Sequence, residues 1–393
     1  MERDANVEQK QRDVAIVENT AEAWTAESAW RIEENPQLAI GRVDGPVEYQ
    51  LFRVMRAVRL ANGTIVVANG GTSEIRFFDA TGKHTRSVGG RGAGPGEYES
   101  LPFFRRLGAD SLIAWDGRLN RGTVLSLDGT YGRTVSRPDF GGAFVVYVDA
   151  FGDGSLLGLA LGYSGGRLPG RTEVEEEAVR GVSLQTRPQG LMADSALLFR
   201  QTSSGQIDTI GGFFYYESYR AGGTMTGMPF GRHAAAVTAG NLLHYGSGEA
   251  FEIRTYNTKG QLLRITRTTR TNPELTPAMI DEFIEKMMSR SNDPAYRNRM
   301  RMLYSSVVYP KTVPAYSDLA VDAAGNLWVS GFHHPFETQP HWTVFDGNGR
   351  LLGNVKAPLG FTIYEIGTDH VLGKSTDAFD VERVALHRLV KPQ

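Results

Sequence analysis

The run His333-His334-Pro335-Phe336-Glu337-Thr338-Gln339-Pro340-His341 is the densest set of metal-ligating side chains in the chain. Imidazoles beside a carboxylate suit zinc and other borderline ions. Adjacent residues on a strand point to opposite sides, however, and no helical His-x-x-x-His or flanking carboxylate pair joins them. His333, His334, Glu337 and His341 are therefore weak metal candidates, and a packed, hydrogen-bonded loop is the preferred reading. Ser and His occur, but nothing in their spacing points to Ser-His-Asp chemistry, so no residue is assigned a catalytic role. GGRGAGPG (Gly89–Gly96) has the composition of a phosphate-cradling loop, but it precedes a strand instead of opening a helix. The chain has no cysteine, which excludes disulfides, thiolate catalysis and Cys-ligated metal. No cofactor is expected.

Two other segments suit recognition better. FFYYESY supplies Phe213, Phe214, Tyr215, Tyr216 and Tyr219; RNRMRMLYSSVVY, from Arg297 to Tyr309, supplies Arg297, Arg299, Met300, Met302 and Tyr304. Tyr, Phe, Met and Arg are enriched in the cores of protein interfaces, so these ten are candidate partner-binding residues. They could equally pack on one another and cap the fold, and both could hold at once.

The elements that must carry these segments repeat. RLANGTIVVANG (Arg59–Gly70) returns as RLGADSLIAWDG (Arg106–Gly117), 47 residues later. Looser copies begin at Val148, Val237, Val321 and Ile366. Each is a short apolar strand, a tight Gly/Asn/Asp turn and a second apolar strand. A unit of about 40 to 50 residues with four strands is the signature of a β-propeller blade. Outer hairpins follow five of the copies, from Ile75, Arg121, Ala196, Ile253 and His341, most of them turning at Asp or Asn followed by Gly, residues that accept positive φ. After Val381–Val390 the chain stops with one outer strand unpaired, and PQLAIGRVDGPVEYQ (Pro36–Gln50) is the strand expected to complete that last blade. The expectation is an all-β, six-bladed propeller over residues 36–393, closed by an N-terminal strand and preceded by a polar arm, residues 1–35, with little commitment to structure.

Three long connections break the period: 163–189, 212–231 and 268–314. The last, between blades four and five, should be helical. Thr276 is placed as N-cap, Pro277 at the first helical position, Asp281 and Glu282 in the first turn, and Ile280, Phe283, Ile284 and Met287 on an apolar stripe. A second helical piece spans Asp293–Val308. Strand parity puts all three connections on one face, which becomes the expected binding surface.

The bulk numbers exclude some partners. Forty-two basic residues against 44 acidic give a net charge of −2, with no basic excess to drive nucleic-acid binding. No run of about 18 apolar residues spans a membrane. The opening MERDANVEQKQRD lacks the apolar core of a signal peptide, which read literally leaves the cytoplasm as one location.

GGRGAGPGEYESLPFF (Gly89–Phe104) resembles the connector of NHL-type six-bladed β-propellers. With PFGRHAAAV (Pro229–Val237) and PAYSDLAVDAAGNLWV (Pro314–Val329), the chain from Pro36 to Val390 is more similar still to bacterial extracytoplasmic six-bladed propeller proteins. That resemblance implies a periplasmic or extracytoplasmic location. It also implies a mixed range of functions: most NHL-type propellers bind proteins, and some relatives are lyases or lactonases. Relatives of the gluconolactonase kind hold calcium over the channel; Asn69, Asp116 and Asp377 are the candidates here, although each also sits where a turn residue satisfies its own backbone. No cluster of carboxylates or Asn converges at the channel mouth on sequence grounds. The expected function is thus a non-catalytic protein-binding propeller, an accessory or scaffold subunit of a larger complex with peripheral membrane association open to it. The alternative is a metal-assisted hydrolase, lactonase or lyase acting on a small substrate at the channel mouth.

Overall fold

A computed structural model describes residues 14–162, 190–221, 224–332, 340–377 and 379–392. Its strands form six sheets. In blade one the strands are Val54–Arg59, Ile65–Asn69, Glu74–Phe78 and His84–Gly89, each antiparallel to the next. The innermost strands of the other five are Phe103–Leu107, Phe144–Ala150, Ala235–Ala239, Tyr316–Val321 and Phe361–Ile366. These six inner strands touch in sequence order and the last returns to the first, enclosing a central channel.

Side-chain alternation explains why the ring holds. Along Ile65–Asn69, Ile65 and Val67 pack toward blade six with Phe78, Val384 and Leu386, while Val66 and Ala68 pack toward blade two with Phe104, Leu112 and Ala114. Both faces of this strand are buried, so it reads as continuously apolar instead of alternating. The same arrangement recurs around the ring, one apolar cluster per blade interface. Outer hairpins turn as expected: Gly82 takes φ +81°, and the Asp79 carboxylate accepts from Thr81 N and Lys83 N at 2.9 and 3.0 Å.

Ring closure uses the N-terminal chain. Leu38–Ile40 pairs antiparallel with Glu382–Val390, completing blade six. The reading of residues 1–35 as an uncommitted arm needs correction from residue 15 onward; residues 1–13 lie outside the described residues. Ala15–Asn19 joins blade four as a fifth strand, parallel to Leu262–Thr268. Trp24 N then donates to Leu352 O of blade five at 2.8 Å, and Arg31–Ile32 pairs with blade six. This belt is anchored by Asn19, whose Oδ1 accepts from Leu351 N at 2.7 Å while Nδ2 donates to Gly349 O at 3.0 Å. Trp24 and Trp30 stack 4.8 Å apart, and the Lys391 ammonium lies 4.0 Å over the Trp30 ring. Polar composition hid the belt because its anchors are single residues spaced along an otherwise charged segment.

The helical insertion folds as read. Helix α1 (Pro277–Ser289) starts at the Thr276 cap, whose side chain accepts from Met279 N; α2 (Pro294–Ser305) starts at Asp293. Asp281 and Glu282 fall one turn later than expected, and the first turn holds no acidic residue. Connection 212–231 and the helices share a face: Tyr219 and Met228 pack with Phe283, Met287, Tyr304 and Val307. Connection 163–189 lies outside the described residues.

Candidate functional site

The candidate partner-binding residues are largely used up inside the molecule. Tyr219 is buried and its hydroxyl donates to Ser306 O at 2.6 Å. Tyr304 is buried edge-on against Phe283, with ring centres 5.1 Å apart, and Met300 joins the same cluster. Phe213 packs between Tyr245 and Tyr256, and Phe214 lies under the Arg232 guanidinium at 4.8 Å. Arg297 is spent on Ser291 O and Asn292 Oδ1, bracing the turn between the helices. Arg299 is exposed beside Tyr296, and Met302 is 74% exposed. Tyr215 and Tyr216 pack on each other and on His233. The two segments meet, and their meeting caps the fold.

His333, His334 and Glu337 lie outside the described residues. His341 is exposed at the start of a blade-five strand. Asn69, Asp116 and Asp377 satisfy local backbone. Asp116, buried, accepts from Glu99 N, Ser100 N, Arg118 N and Leu119 N. Asn69 accepts from Phe52 N, and Asp377 from Phe379 N and Val381 N. Their lone pairs are occupied by amides, which leaves little for calcium. Among the described residues no group of three His, Cys, Asp or Glu is placed to hold a metal ion.

The channel itself carries what sequence reading missed. A cavity of about 440 Å³ is lined by Arg56, Arg105, Asp149, Thr238, Asp318, Tyr364 and Glu365, drawn from all six inner strands. Carboxylates therefore do converge there, contrary to expectation. The cause is a recurrent register shift. In four inner strands the register against the neighbouring strand shifts by one residue, at Met55, Val148, Ser317 and Tyr364. The next residue in each case is charged: Arg56, Asp149, Asp318 and Glu365. A β-bulge turns the side chain that follows it and is common beside functional sites. Four such bulges aim four charges at one axis.

The lining divides into two halves. Across blades two to four, Arg105 Nε lies 3.3 Å from Asp149 Oδ1, and its terminal nitrogens donate to Phe104 O and Val148 O at 2.9 and 3.2 Å. Asp149 Oδ2 accepts from Thr238 N and Oγ1 at 2.9 and 3.1 Å. That half is a closed network. Across blades five, six and one, Arg56 donates to Tyr364 O but has no carboxylate partner among the described residues. Burial, reinforced by Arg105, pulls its pKa down to about 10. Among the described residues Asp318 accepts only from the adjacent Leu319 N, at 2.8 Å. Its carboxyl is wetted by the channel yet walled in by protein, and this enclosure raises its pKa. Arg56 feels the charges of Asp149, Glu365 and, last, Asp318, and Asp318 feels Arg56, Arg105 and His233, Arg56 and Asp318 not touching. Toward the opposite face, Glu365 accepts from Arg59 N at 3.3 Å, and its Oε1 lies 3.8 Å from His370 Nε2. That carboxylate raises the His370 pKa.

Comparison with known proteins agrees with this architecture. A family model, DUF5128, described as a 6-bladed beta-propeller, matches residues 48–105, a stretch that includes the Gly89–Phe104 connector. The fold is that of a six-bladed β-propeller. A Bacteroides fragilis NCTC 9343 protein described as exported superimposes with TM-score 0.50 at 13% identity, covering 97% of this chain and all of its own. A member of the DUF4221 family from Bacteroides vulgatus gives TM-score 0.53 at 12% identity, covering 93% of this propeller and 99% of itself. At such identities the likeness extends to the fold alone. No curated protein matches in sequence. No helix among the described residues is long and apolar enough to cross a membrane.

Proposed function

We propose that this propeller binds a small charged solute in its central channel, on the insertion-bearing side. The observation that carries the reading is a pair of opposite charges, Arg56 and Asp318, that meet no ion-pair partner among the described residues, on one half of a ring whose other half is a closed network. Arg56 is half-buried and its charge is disfavoured there, and a side chain kept in such a place is better explained by a ligand than by the fold. The cavity is within the range of small-molecule sites. An extracytoplasmic location accords with the exported propeller that this chain is similar to.

The test is retention of a solute. Wild-type protein incubated with a small-metabolite extract, desalted and denatured, should release a charged small molecule detectable by mass spectrometry. Arg56→Met and Asp318→Asn should each release much less. Equal recovery from the double variant would remove the channel from consideration.

A second reading, docking of a protein partner on the insertion face, has its own support. Large apolar residues exposed among the described residues, other than Ile16 and Tyr131, all belong to that face: Val43, Val47, Phe52, Met55, Phe144, Leu191, Met302, Val308, Leu359 and Phe379. Segregated apolar exposure of this kind marks interaction surfaces. An accessory role in a larger assembly would use these residues in place of the buried FFYYESY aromatics. Co-purification of a stoichiometric partner, lost in a Phe52→Ser, Phe379→Ser variant, tests it.

A further inference from the structure

The open half of the channel constrains the chemistry of its occupant; this step rests on the channel-binding reading above. Arg56, on the inner strand of blade one, offers a guanidinium with donors to spare. Asp318, on the inner strand of blade five, offers carboxylate lone pairs, with one oxygen already accepting from Leu319 N. Between them runs the inner strand of blade six, where Tyr364 Oη donates to Val54 O at 2.9 Å and the Arg56 guanidinium lies 5.9 Å from the Tyr364 ring. Ile363 adds apolar wall. The site is thus a cationic pole and an anionic pole separated by a tyrosine and an isoleucine.

We propose that the channel recognises an ammonium–carboxylate zwitterion: its carboxylate on Arg56, its ammonium on Asp318, and its carbon chain against Tyr364 and Ile363. A simple anion would satisfy Arg56 but be repelled by Asp318, and a simple amine would meet the converse. Only a ligand bearing both charges engages both groups, and a ligand missing either one leaves a channel-lining charge without its counterpart, a basis for rejection in a polar site. Planar Arg forks match carboxylates in two-point contact, whereas a carboxylate accepts an ammonium from many directions, so Arg56 sets orientation and Asp318 sets reach. Arg105 and Asp149 do not compete for the same ligand, because they already neutralise each other.

The ω-amino acids from glycine to 6-aminohexanoate form a ruler for the gap, read by titration calorimetry on the intact protein. One or two adjacent members should bind, with affinity falling at least tenfold in Arg56→Met and, separately, in Asp318→Asn. Acetate and butylammonium should neither bind nor compete. Arg56→Lys keeps the charge without the fork, and should retain binding more weakly than wild type. If acetate or butylammonium binds as tightly as the best zwitterion, the ligand class is wrong while the channel remains a site. If no member of the series binds, the zwitterion inference is overturned, and the extract experiment decides the channel reading independently.

Discussion

Arg56 and Arg105 occupy the same channel and differ in their partners, so their removal should have opposite consequences for stability. Arg105→Met takes away an ion pair and two backbone acceptor contacts, and leaves the Asp149 carboxylate held by Thr238 alone. Breaking a buried pair costs about 3 to 5 kcal/mol; Asp149 keeps two hydrogen bonds and some water access, so about 2 to 3 kcal/mol is expected. Arg56→Met removes one hydrogen bond, about 1 kcal/mol. It also relieves the cost of holding a charged guanidinium whose pKa is drawn from 12.5 to about 10, up to about 3 kcal/mol at about 1.4 kcal/mol per pKa unit. The net is neutral to about 2 kcal/mol stabilising. Unfolding entropy near 2.1 cal/mol/K per residue makes 1 kcal/mol worth about 1 °C in a chain of 393 residues. Scanning calorimetry of the ligand-free proteins should then show Arg105→Met about 2 to 3 °C below wild type and Arg56→Met level with it or slightly above. If both variants fall by the same amount, Arg56 is holding the ring together, and the reasoning that reserves it for a ligand fails.

Other outcomes follow from the same geometry. Asn19→Ala strands Leu351 N and Gly349 O beneath the belt and should destabilise by about 2 to 4 kcal/mol; a loss below 0.5 kcal/mol in denaturant titration would show the belt to be loosely held. Asp116→Ala leaves four amides without an acceptor and should cost about 3 kcal/mol. That loss should be the same in EDTA and in calcium, whereas a calcium-dependent difference would restore Asp116 as a metal ligand. The Glu365 and Asp369 carboxylates favour the protonated form of His370, so its folded pKa exceeds its unfolded one. The stability it adds is fully present below about pH 6.5 and lost as pH rises through the folded value, and His370→Gln should remove that alkaline-side decline. Buried His244, hydrogen-bonded to Thr255, has its pKa lowered to about 4, which gives the opposite sign. Its contribution is present above about pH 6.5 and is lost on the way down to pH 4, by about 3 kcal/mol in all. A His244→Asn protein whose acid-side slope matches wild type would contradict that assignment.

The sequence by itself determined the ring. Repeats from Arg59 and Arg106 onward, Asp/Asn-to-Gly turns, and the orphan strand before Gln50 each state a local rule. Six copies of one rule admit one closed architecture, because a strand such as Ile65–Asn69, apolar on both faces, must be covered on both sides. Helix α1 was equally legible, since its cap and its apolar stripe lie within one turn of each other in sequence. The belt and the channel were not. Ala15–Asn19 finds its partner some 250 residues away, through backbone bonds that carry no residue-type signal and one buried Asn. Arg56, Asp149, Asp318 and Glu365 each read, alone, as the polar residue of an alternating strand. Only tertiary structure decides that a one-residue bulge precedes each of them, that the ring brings them to a common axis, and that Arg105 meets a carboxylate where Arg56, among the described residues, does not. It also decided the fate of Tyr219 and Tyr304, whose composition suits an interface with another protein and whose packing satisfies one within this chain.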